Sequence, residues 1–414
     1  MKYVVLLCDG MADNKIAGLS NKTPMETAQK PCMNTLAESS VLGLVRTVSP
    51  QLSPGSDVAN LSVLGYDPLT YYTGRSPLEA ASMGITLLDT DLAIRANLVT
   101  LSDEEDYNNK TLADYCADDI SSKDAKILID YINENLKASD FELFAGVSYR
   151  HCLVWHNGSV EETLTPPHDI TGKKIAAYTG GHKLQPKLYD FMLKSHELLK
   201  NHPLNRERVL KGKRPANSLW FWGQGKKPRL ESFYKKFGLK GSIISAVDLL
   251  KGIGICAEMN VPDVKGATGY IDTDFSAKAA AALNELASGQ DFVYIHIEAP
   301  DECGHRGELN NKIKSIELID RLTLKPLLDG VSGLKGLLDY DNFRLLILPD
   351  HPTPLCIKTH SNEPVPFMLY EKNNLKALRK DCNFCESTCT QSGIFIEKGH
   401  TLMNTFLSTS PFKL

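Results

Sequence analysis

Aspartate and histidine side chains recur in this sequence at spacings that suit metal binding. In "APDECGHRGE", Asp301 and His305 stand four residues apart, which on a helix or tight loop presents both side chains to the same side. "LPDHPTPLCIKTH" supplies the adjacent pair Asp350 and His351, followed by His360. Carboxylate oxygens together with imidazole nitrogens suit Zn or Mn. These five side chains therefore predict metal-dependent chemistry.

Three apolar runs that read as buried strands would position these ligands. They are "YVVLLCDG", "DFVYIHIEAPDE" and "NFRLLILPDH", and each closes on an aspartate: Asp9, Asp301 and Asp350. Because ligands bind outside the carboxyl ends of the strands in an open α/β sheet, we expect the three carboxylates to converge. Three aspartates and three histidines suffice for two divalent ions when a hydroxyl joins them.

The stretch "SPGSDVANLS" places one hydroxyl, that of Ser56, at the predicted start of a helix. One interpretation is structural, because Ser side chains commonly cap a free backbone N–H group of the first turn. The other is chemical, because a helix N-terminus favours a bound phosphate and a metal ion makes a Ser hydroxyl a better nucleophile. The residues around Ser56 leave both interpretations open.

Helical stretches separate the predicted strands, with apolar residues near the 3.6-residue period in "FSAKAAAALNELAS" and "NNKIKSIELIDRLTLKPLLDGV". This alternation predicts an α/β core with a mainly parallel sheet flanked by helices. A gap of roughly two hundred residues precedes the strand that begins near Asp291, which is too long for one crossover. We therefore expect a core formed by 1–86 and 213–414, and a smaller α/β domain inserted at 87–212.

The insert carries its own periodic segments. Strands are predicted at "LAIRANLVTL" and "GVSYRHCLVWHNG", and a helix at "LYDFMLKSHELLK". The stretch "NHPLNRERVLKGKRP" is rich in Pro, Asn and basic residues, which predicts the linker that returns to the core.

Composition argues against several classes of partner. The 414 residues are 42% hydrophobic and 23% charged, as in soluble globular proteins. A net charge of -4 and a pI near 6.3 give no broad basic field for nucleic acid. The apolar run at the N-terminus is too short to span a membrane. Scattered cysteines, several inside apolar runs, predict reduced thiols in a cytoplasmic protein.

One cysteine group, "CNFCESTC", has a spacing that is compatible with a metal or cluster site. It contains Cys382, Cys385 and Cys389, and the nearest candidate for a fourth ligand is His400. Structural zinc sites almost always have four ligands, so we favour an incidental grouping.

The order of the candidate residues resembles that of the alkaline phosphatase superfamily of two-metal phosphoryl-transfer enzymes. More narrowly, "CDGM", "SPGSDVANLSVLGYDP", "GRSPLEAASMGI", "HIEAPDECGHRGE" and "DHPTP" followed by "THSNEPVPF" resemble the cofactor-independent (2,3-bisphosphoglycerate-independent) phosphoglycerate mutases of the archaeal type. The similarity extends from Met1 to the "GHTLMNTFL" tail.

This resemblance implies an alkaline-phosphatase-like core and assigns the ligands. Ser56 would be the nucleophile that becomes phosphorylated. It would also coordinate one metal together with Asp9, Asp350 and His351. The other metal would be held by Asp301, His305 and His360. Two divalent ions are expected, Mn first and Zn, Co or Mg as alternatives, with no 2,3-bisphosphoglycerate.

A mutase must also retain glycerate while the phosphoryl group moves between its hydroxyls. Arg95, and the adjacent Arg150 and His151, are the candidates to hold the carboxylate, since Arg grips carboxylates in bidentate fashion. Lys251 is the candidate to protonate or grip oxygens from the core side, and His168 a weaker candidate for proton transfer.

The expected activity is the interconversion of 3-phosphoglycerate and 2-phosphoglycerate by a monomer or weak homo-oligomer whose partner is this small molecule. One alternative is a hydrolase of a phosphomonoester or phosphonate that uses the same metals. Another is a metal-dependent binding or regulatory protein that has lost turnover.

Overall fold

The computed structural model describes residues 1–136, 139–159, 161, 164–179, 185–374 and 378–408. The chain divides into two compact units. Unit 1 comprises Met1–Tyr72 and Arg229–Leu414, and unit 2 comprises Thr73–Pro228. The predicted insert, 87–212, lies within unit 2, which extends further in both directions.

The strands are β1 (Lys2–Cys8), β2 (Val41–Val45), β3 (Leu92–Leu101), β4 (Leu112–Asp114), β5 (Phe141–Phe144), β6 (Arg150–Trp155), β7 (Ser218–Lys226), β8 (Gly241–Ile244), β9 (Phe292–Ile297), β10 (Phe343–Leu348), β11 (Val365–Glu371) and β12 (Phe395–Ile396). The α-helices are α1 (Pro24–Thr27), α2 (Pro31–Ala37), α3 (Ser56–Val63), α4 (Pro68–Tyr71), α5 (Ser76–Ser82), α6 (Ser122–Asn135), α7 (Ala176–Thr179), α8 (Pro186–Leu199), α9 (Pro203–Leu210), α10 (Phe233–Phe237), α11 (Asp248–Cys256), α12 (Phe275–Ala287), α13 (Ala299–Arg306), α14 (Leu309–Leu318), α15 (Lys325–Asp329), α16 (Glu386–Gln391) and α17 (Leu402–Leu407). Short 3-10 helices lie at Ala17–Leu19, Tyr107–Asn109, Pro167–Ile170, Leu337–Asp339 and Gly399–Thr401, and a π-helical turn at Ile319–Leu324 separates α14 from α15. Among the described helices, none combines the length and apolar character that crossing a membrane would require.

Unit 1 is built on a seven-stranded sheet in the order β12-β2-β11-β10-β1-β9-β8. The four strands β10, β1, β9 and β8 run parallel, whereas β11 is antiparallel to both of its neighbours. Every residue of β9 and β10 is buried, as expected for parallel strands covered on both faces. The predicted mixed α/β architecture with a mainly parallel sheet is therefore confirmed.

The three predicted ligand-bearing strands are β10, β1 and β9, which are neighbours in the sheet. Their carboxyl ends meet at one edge because all three are parallel. Asp9 follows β1 directly and Asp350 follows β10 closely. The prediction that Asp301 ends a strand is wrong, because β9 stops at Ile297 and Asp301 lies in the first turn of α13. Pro300 has no N–H to donate to a ladder and is well suited to a first helical turn.

Unit 2 contains an antiparallel sheet of five strands centred on β3. This strand pairs with β4 and β6 on one side and with β7 on the other, and β5 pairs with β6. Apolar side chains of α6 and α8, such as Leu128 and Phe191, share one core with the sheet. Unit 2 extends beyond 212 because β7, "SLWFWGQGK", pairs with β3.

The segment 201–215 does not act as the predicted return linker. It folds into α9, and the Asn205 side chain donates to the backbone oxygens of Leu199 and Ala216, each at 2.9 Å. Asn205 is buried, so these hydrogen bonds anchor the segment in unit 2. The many polar residues of this segment suggested an exposed linker. Asn205 instead forms hydrogen bonds with buried backbone groups.

The turn after Asp9 depends on a glycine. Gly10 has φ +60°, and a Cβ atom there would lie 2.6 Å from the Asp301 Cα atom. We predict that Gly10→Ala lowers the free energy of unfolding by about 1 kcal/mol or more beyond the loss caused by Gly238→Ala, since overpacking is added to strain. Gly238 is the matched control, with φ +69° and open space where a Cβ atom would lie. Urea unfolding of both variants measures the difference, and equal losses would contradict the steric argument.

Candidate active site

The first ligand cluster, called cluster 1, consists of Asp9, Asp350 and His351. One ligand atom of each lies within 4.8 Å of the others. His351 Nε2 is 3.7 Å from Asp9 Oδ1 and 3.4 Å from Asp350 Oδ2. Ser56 Oγ lies 3.1 Å from the same His351 nitrogen. All three cluster side chains are almost fully buried, so a serine hydroxyl borders a dry group of metal-ligating atoms.

The second cluster, called cluster 2, consists of Asp301, His305 and His360. The two Nε2 atoms are 2.9 Å apart and lie 3.3 and 3.5 Å from the Asp301 carboxylate oxygens. Each Nδ1 atom faces a backbone oxygen, that of Lys358 at 3.1 Å for His305 and that of Pro54 at 3.4 Å for His360. An Nδ1–H group that donates to a carbonyl leaves Nε2 as the ligand atom, which is a common arrangement in metal sites.

The pKa of Asp9 and the hydrogen bonding of its carboxylate indicate whether cluster 1 suits a bound cation. Burial raises the pKa of Asp9 well above its ordinary value, and the nearby carboxylates of Asp350 and Asp301 raise it further. Asp9 Oδ1 is also a buried oxygen without a hydrogen-bond partner. Buried polar atoms normally have partners, so an unsatisfied carboxylate oxygen that faces other ligands fits a bound cation.

In cluster 2, positive charge is likewise favourable beside the buried carboxylate of Asp301. Burial acts to raise the pKa of Asp301, but hydrogen bonds from His305 and His360 outweigh it and hold this pKa well below its usual range. The hydrogen bond to Asp301 in turn raises the pKa of His305 to about 9. The imidazole protons therefore stabilise the negative charge of Asp301, as a bound divalent ion would. Thr353 links the clusters, since its hydroxyl donates to Asp301 and lies 3.3 Å from His351 Nδ1.

Ser56 is the first residue of α3 and does not cap it. The N-cap is Gly55, which makes no side-chain cap, so the capping interpretation of Ser56 is wrong. Asn60 Nδ2 donates to both the Ser56 backbone oxygen and Asp350 Oδ2, each at 2.8 Å. Tyr294 in turn donates to Asn60 Oδ1 at 2.5 Å. These contacts tie the helix that carries the hydroxyl to cluster 1.

Sequence reasoning missed His296, which supports Asp9 from behind. His296 is fully buried in β9, with Nε2 2.8 Å from Asp9 Oδ2 and Nδ1 3.1 Å from Ser245 Oγ. Ser245 also accepts a hydrogen bond from the Val247 N–H group, so its hydroxyl proton is available to His296 Nδ1. The sequence signal for His296 was a histidine inside the otherwise largely apolar strand "FVYIHI".

In unit 2, the candidate substrate residues divide between two faces of the sheet. Arg95 pairs with Cys152, and Asn97 with Arg150, in the β3–β6 register, so both arginines point to one face. His151 points to the opposite face, where its Nδ1 accepts from the Gly146 N–H group at 3.0 Å. Burial lowers the pKa of His151 to about 3. The structure therefore does not bring His151 together with the arginines.

Arg95 is the centre of a buried polar group. Its guanidinium stacks on Trp222 at 4.0 Å, and its Nε lies 3.1 Å from Glu79 Oε2. The His168 ring contacts the same Trp222 ring at a centroid distance of 5.3 Å, and burial lowers the pKa of His168. Glu79 was not singled out from the sequence, although it lies in the motif "GRSPLEAASMGI".

Lys251 and the cysteine trio are two further candidates from the sequence. Lys251 lies in α11, 4.0 Å from the exposed carboxylate of Asp263. Among the described residues, the cysteine trio at 382, 385 and 389 is not one of the groups whose ligand atoms converge. His400 Nδ1 instead lies 3.8 Å from Asp67 Oδ1.

Comparisons with known proteins indicate the family of this chain. The family model described as 2,3-bisphosphoglycerate-independent phosphoglycerate mutase matches residues 37–205. A Methanosarcina mazei protein that carries the same name is 45% identical over 387 residues, covering 92% of this chain and 94% of the relative. A solved Pyrococcus horikoshii structure has a TM-score of 0.80 at 28% identity, covering 99% of this chain and 98% of that one. A structure titled cofactor-independent phosphoglycerate mutase, from Thermoplasma acidophilum, has a TM-score of 0.65 at 26% identity, covering 98% of this chain and 99% of that one.

Fold and site together define an α/β protein with two clusters of side chains that could hold metal ions, and a serine beside cluster 1. The relatives make the family specific: the chain belongs to the 2,3-bisphosphoglycerate-independent phosphoglycerate mutases. The family resemblance carried by the sequence motifs is thereby confirmed.

The contact between His296 and Asp9 gives a prediction about metal affinity. We expect His296→Leu to weaken Mn binding by about ten- to a hundredfold, as losses of residues that orient metal ligands do. His156→Leu in unit 2 is the control, because His156 Nδ1 also faces a carboxylate, Asp91 Oδ1, at 3.0 Å. Titration of metal-free protein with Mn measures both, and an unchanged affinity in His296→Leu would remove His296 from the metal centre.

Proposed function

We propose that this chain interconverts 3-phosphoglycerate and 2-phosphoglycerate in glycolysis and gluconeogenesis, with Ser56 as the carrier of the phosphoryl group. The observation that carries the proposal is the position of Ser56 Oγ, 3.1 Å from His351 Nε2 and beside cluster 1. The name of the Methanosarcina mazei relative supports the same reaction. The hydroxyl is at the first residue of α3, where backbone N–H groups favour a phosphate.

In the proposed reaction, Ser56 Oγ loses its proton and attacks the phosphorus of 3-phosphoglycerate. A bond forms between Oγ and phosphorus while the bond from phosphorus to glycerate O3 breaks, and O3 takes up a proton. The bound glycerate then turns, and its O2 hydroxyl loses its proton and attacks the phosphoserine. The Oγ–phosphorus bond breaks, Ser56 regains its proton and 2-phosphoglycerate leaves.

The two clusters provide the ligands for two divalent ions. Cluster 1 with Ser56 would hold one ion, and cluster 2 the other. Bound ions would lower the pKa of the Ser56 hydroxyl and offset the negative charge of the phosphoryl group. Mixed oxygen and nitrogen donors favour Mn, with Zn, Co or Mg as alternatives. We expect no requirement for 2,3-bisphosphoglycerate, since a serine rather than a phosphohistidine carries the group.

Residues of unit 2 would bind the carboxylate of the glycerate. Arg95 and Arg150 share one face of its sheet, and Arg binds carboxylates through two parallel hydrogen bonds. His168 contacts Trp222 on which Arg95 stacks, so it remains the candidate for proton transfer there. Lys251 remains a candidate for contact with substrate oxygens from the core side.

The finer architecture and setting are also proposals. The order of strands and ligands in unit 1 supports an alkaline-phosphatase-like core. Buried thiols such as Cys8 and Cys303 suit a reducing compartment, hence a cytoplasmic location. We expect a monomer or weak homo-oligomer. A hydrolase of the same superfamily would need the same clusters, but the relatives' shared name favours the mutase.

The test of the nucleophile is a pair of serine variants. We predict that Ser56→Ala lowers kcat by several orders of magnitude while the protein stays folded, as the loss of a catalytic nucleophile does. Ser53→Ala is the matched control, because Ser53 is an exposed serine in the same loop. Conversion of 3-phosphoglycerate, followed in the presence of Mn, measures both. Near-normal turnover by Ser56→Ala would exclude the phosphoserine mechanism.

A further inference from the structure

A buried ion pair joins the two loops of unit 1 that carry the ligands of cluster 1. The β1 loop, residues 9–13, begins with Asp9, and the β10 loop, residues 350–355, carries the other two ligands. Lys312 lies in α14, and its Nζ is 2.8 Å from Asp13 Oδ2 in the β1 loop. The two side chains are 0% and 1% exposed, so water solvates neither charge.

The Lys312 ammonium group has acceptors in both loops. Besides Asp13, it donates to the Thr353 backbone oxygen of the β10 loop at 2.8 Å and to the Ala12 backbone oxygen of the β1 loop at 3.4 Å. These three acceptors match the three hydrogens of the ammonium group. The Thr353 N–H group also donates to the Ala12 oxygen, at 3.3 Å. Lys312 therefore lies at the point where the two loops meet.

The Asp13 carboxylate also binds both loops. Oδ2 accepts from the Leu355 N–H group of the β10 loop at 3.2 Å, and Oδ1 accepts from the Asn14 N–H group at 2.7 Å. The backbone N–H group of Asp13 donates to Glu386 Oε1 at 3.1 Å, in the first turn of α16. Asp13 is thus fixed by groups from three elements in addition to its own loop.

Thr353 connects this ion pair to cluster 2 as well as to cluster 1. Its hydroxyl donates to Asp301, so it is an acceptor toward His351 Nδ1, which lies 3.3 Å away. A proton on Nδ1 leaves Nε2 of His351 as the ligand atom. Because Lys312 binds the Thr353 backbone, a displacement of that backbone would disturb contacts in both clusters.

Stability alone is a poor explanation for this ion pair. Burial lowers the pKa of Lys312, although the charge of Asp13 acts in the opposite direction. The desolvation of two buried charges often outweighs their attraction, and apolar side chains of similar volume can be as stable. An apolar side chain in place of Lys312 would, however, bind none of its three acceptors. The geometry that the pair imposes is the better explanation.

We propose that Lys312 and Asp13 are positioning residues that hold the β1 and β10 loops in the relative arrangement needed for metal binding. Among the described residues, neither belongs to a group of converging ligand atoms. This inference rests on the part of the proposed function in which the clusters hold two ions. Since Thr353 contacts both clusters, loss of the pair should weaken the binding of both ions.

The sign of the effect separates positioning from simple electrostatics. Lys312→Met removes a positive charge near the clusters, which by itself would tighten the binding of a cation, whereas displaced loops would weaken it. The double variant Lys312→Met/Asp13→Asn removes one charge of each sign and keeps a side-chain oxygen for the N–H groups of Asn14 and Leu355. We predict that both variants bind each of two Mn ions about tenfold or more weakly than the wild type.

The measurement is a titration of metal-free protein with Mn, followed by the electron paramagnetic resonance signal of free Mn. Lys30→Met is the matched control, because Lys30 is an almost fully buried lysine of unit 1 that donates instead to Asn383 Oδ1, at 2.5 Å. Urea unfolding checks that each variant is folded. The double variant carries the test if Lys312→Met does not fold, because it leaves no unpaired buried charge.

Two results would overturn the proposal: tighter Mn binding by Lys312→Met, or a folded double variant that binds both ions as tightly as the wild type. In the second case the pair would only balance its own charges. Wild-type protein that binds no Mn would instead refute the proposed metal centre. Wild-type protein that forms only glycerate and phosphate would refute the mutase and leave the Mn comparison valid, since no substrate is present.

Discussion

Repulsion among buried carboxylates is the constraint on which the rest of unit 1 depends. Asp9 and Asp350 are almost fully buried, and burial together with the nearby Asp350 carboxylate raises the pKa of Asp9 well above its ordinary value. Positive charge close to Asp9 therefore favours the ionised form of this buried carboxylate. In cluster 2, hydrogen bonds from His305 and His360 hold the pKa of Asp301 well below its usual range, and the pKa of His305 is raised to about 9. The sheet, the turns and the supporting residues hold ligands in an arrangement that is favourable once cations share it.

The fold meets this constraint through topology and close packing. Parallel neighbours β10, β1 and β9 bring their carboxyl ends to one edge, and Gly10 permits the backbone after Asp9 to approach α13. His296 and Asn60 then orient Asp9 and Asp350 through hydrogen bonds of 2.8 Å. In unit 2, the charges of Arg95 and Arg75 hold the pKa of Glu79 below its usual range despite its burial.

The sequence was most informative where a pattern had one physical solution. Alternating strands and helices indicated the mixed α/β core, and the four-residue spacing of Asp301 and His305 indicated two ligands on one helix face. It was less informative where tertiary contacts decide. Asn205 turned an expected linker into a helix, and strand alternation placed His151 on the face away from Arg150. The ion pair between Glu79 and Arg95 joins α5 to β3, which no local pattern reveals.

The central claim is that the serine and the two clusters move a phosphoryl group within one glycerate. The most direct measurement supplies 3-phosphoglycerate to Mn-loaded protein in the presence of free, isotopically labelled glycerate and follows the products by phosphorus and carbon NMR. The account predicts 2-phosphoglycerate that carries no label, because the same glycerate that loses the group receives it back. Release of glycerate and phosphate alone, with no 2-phosphoglycerate, would contradict it.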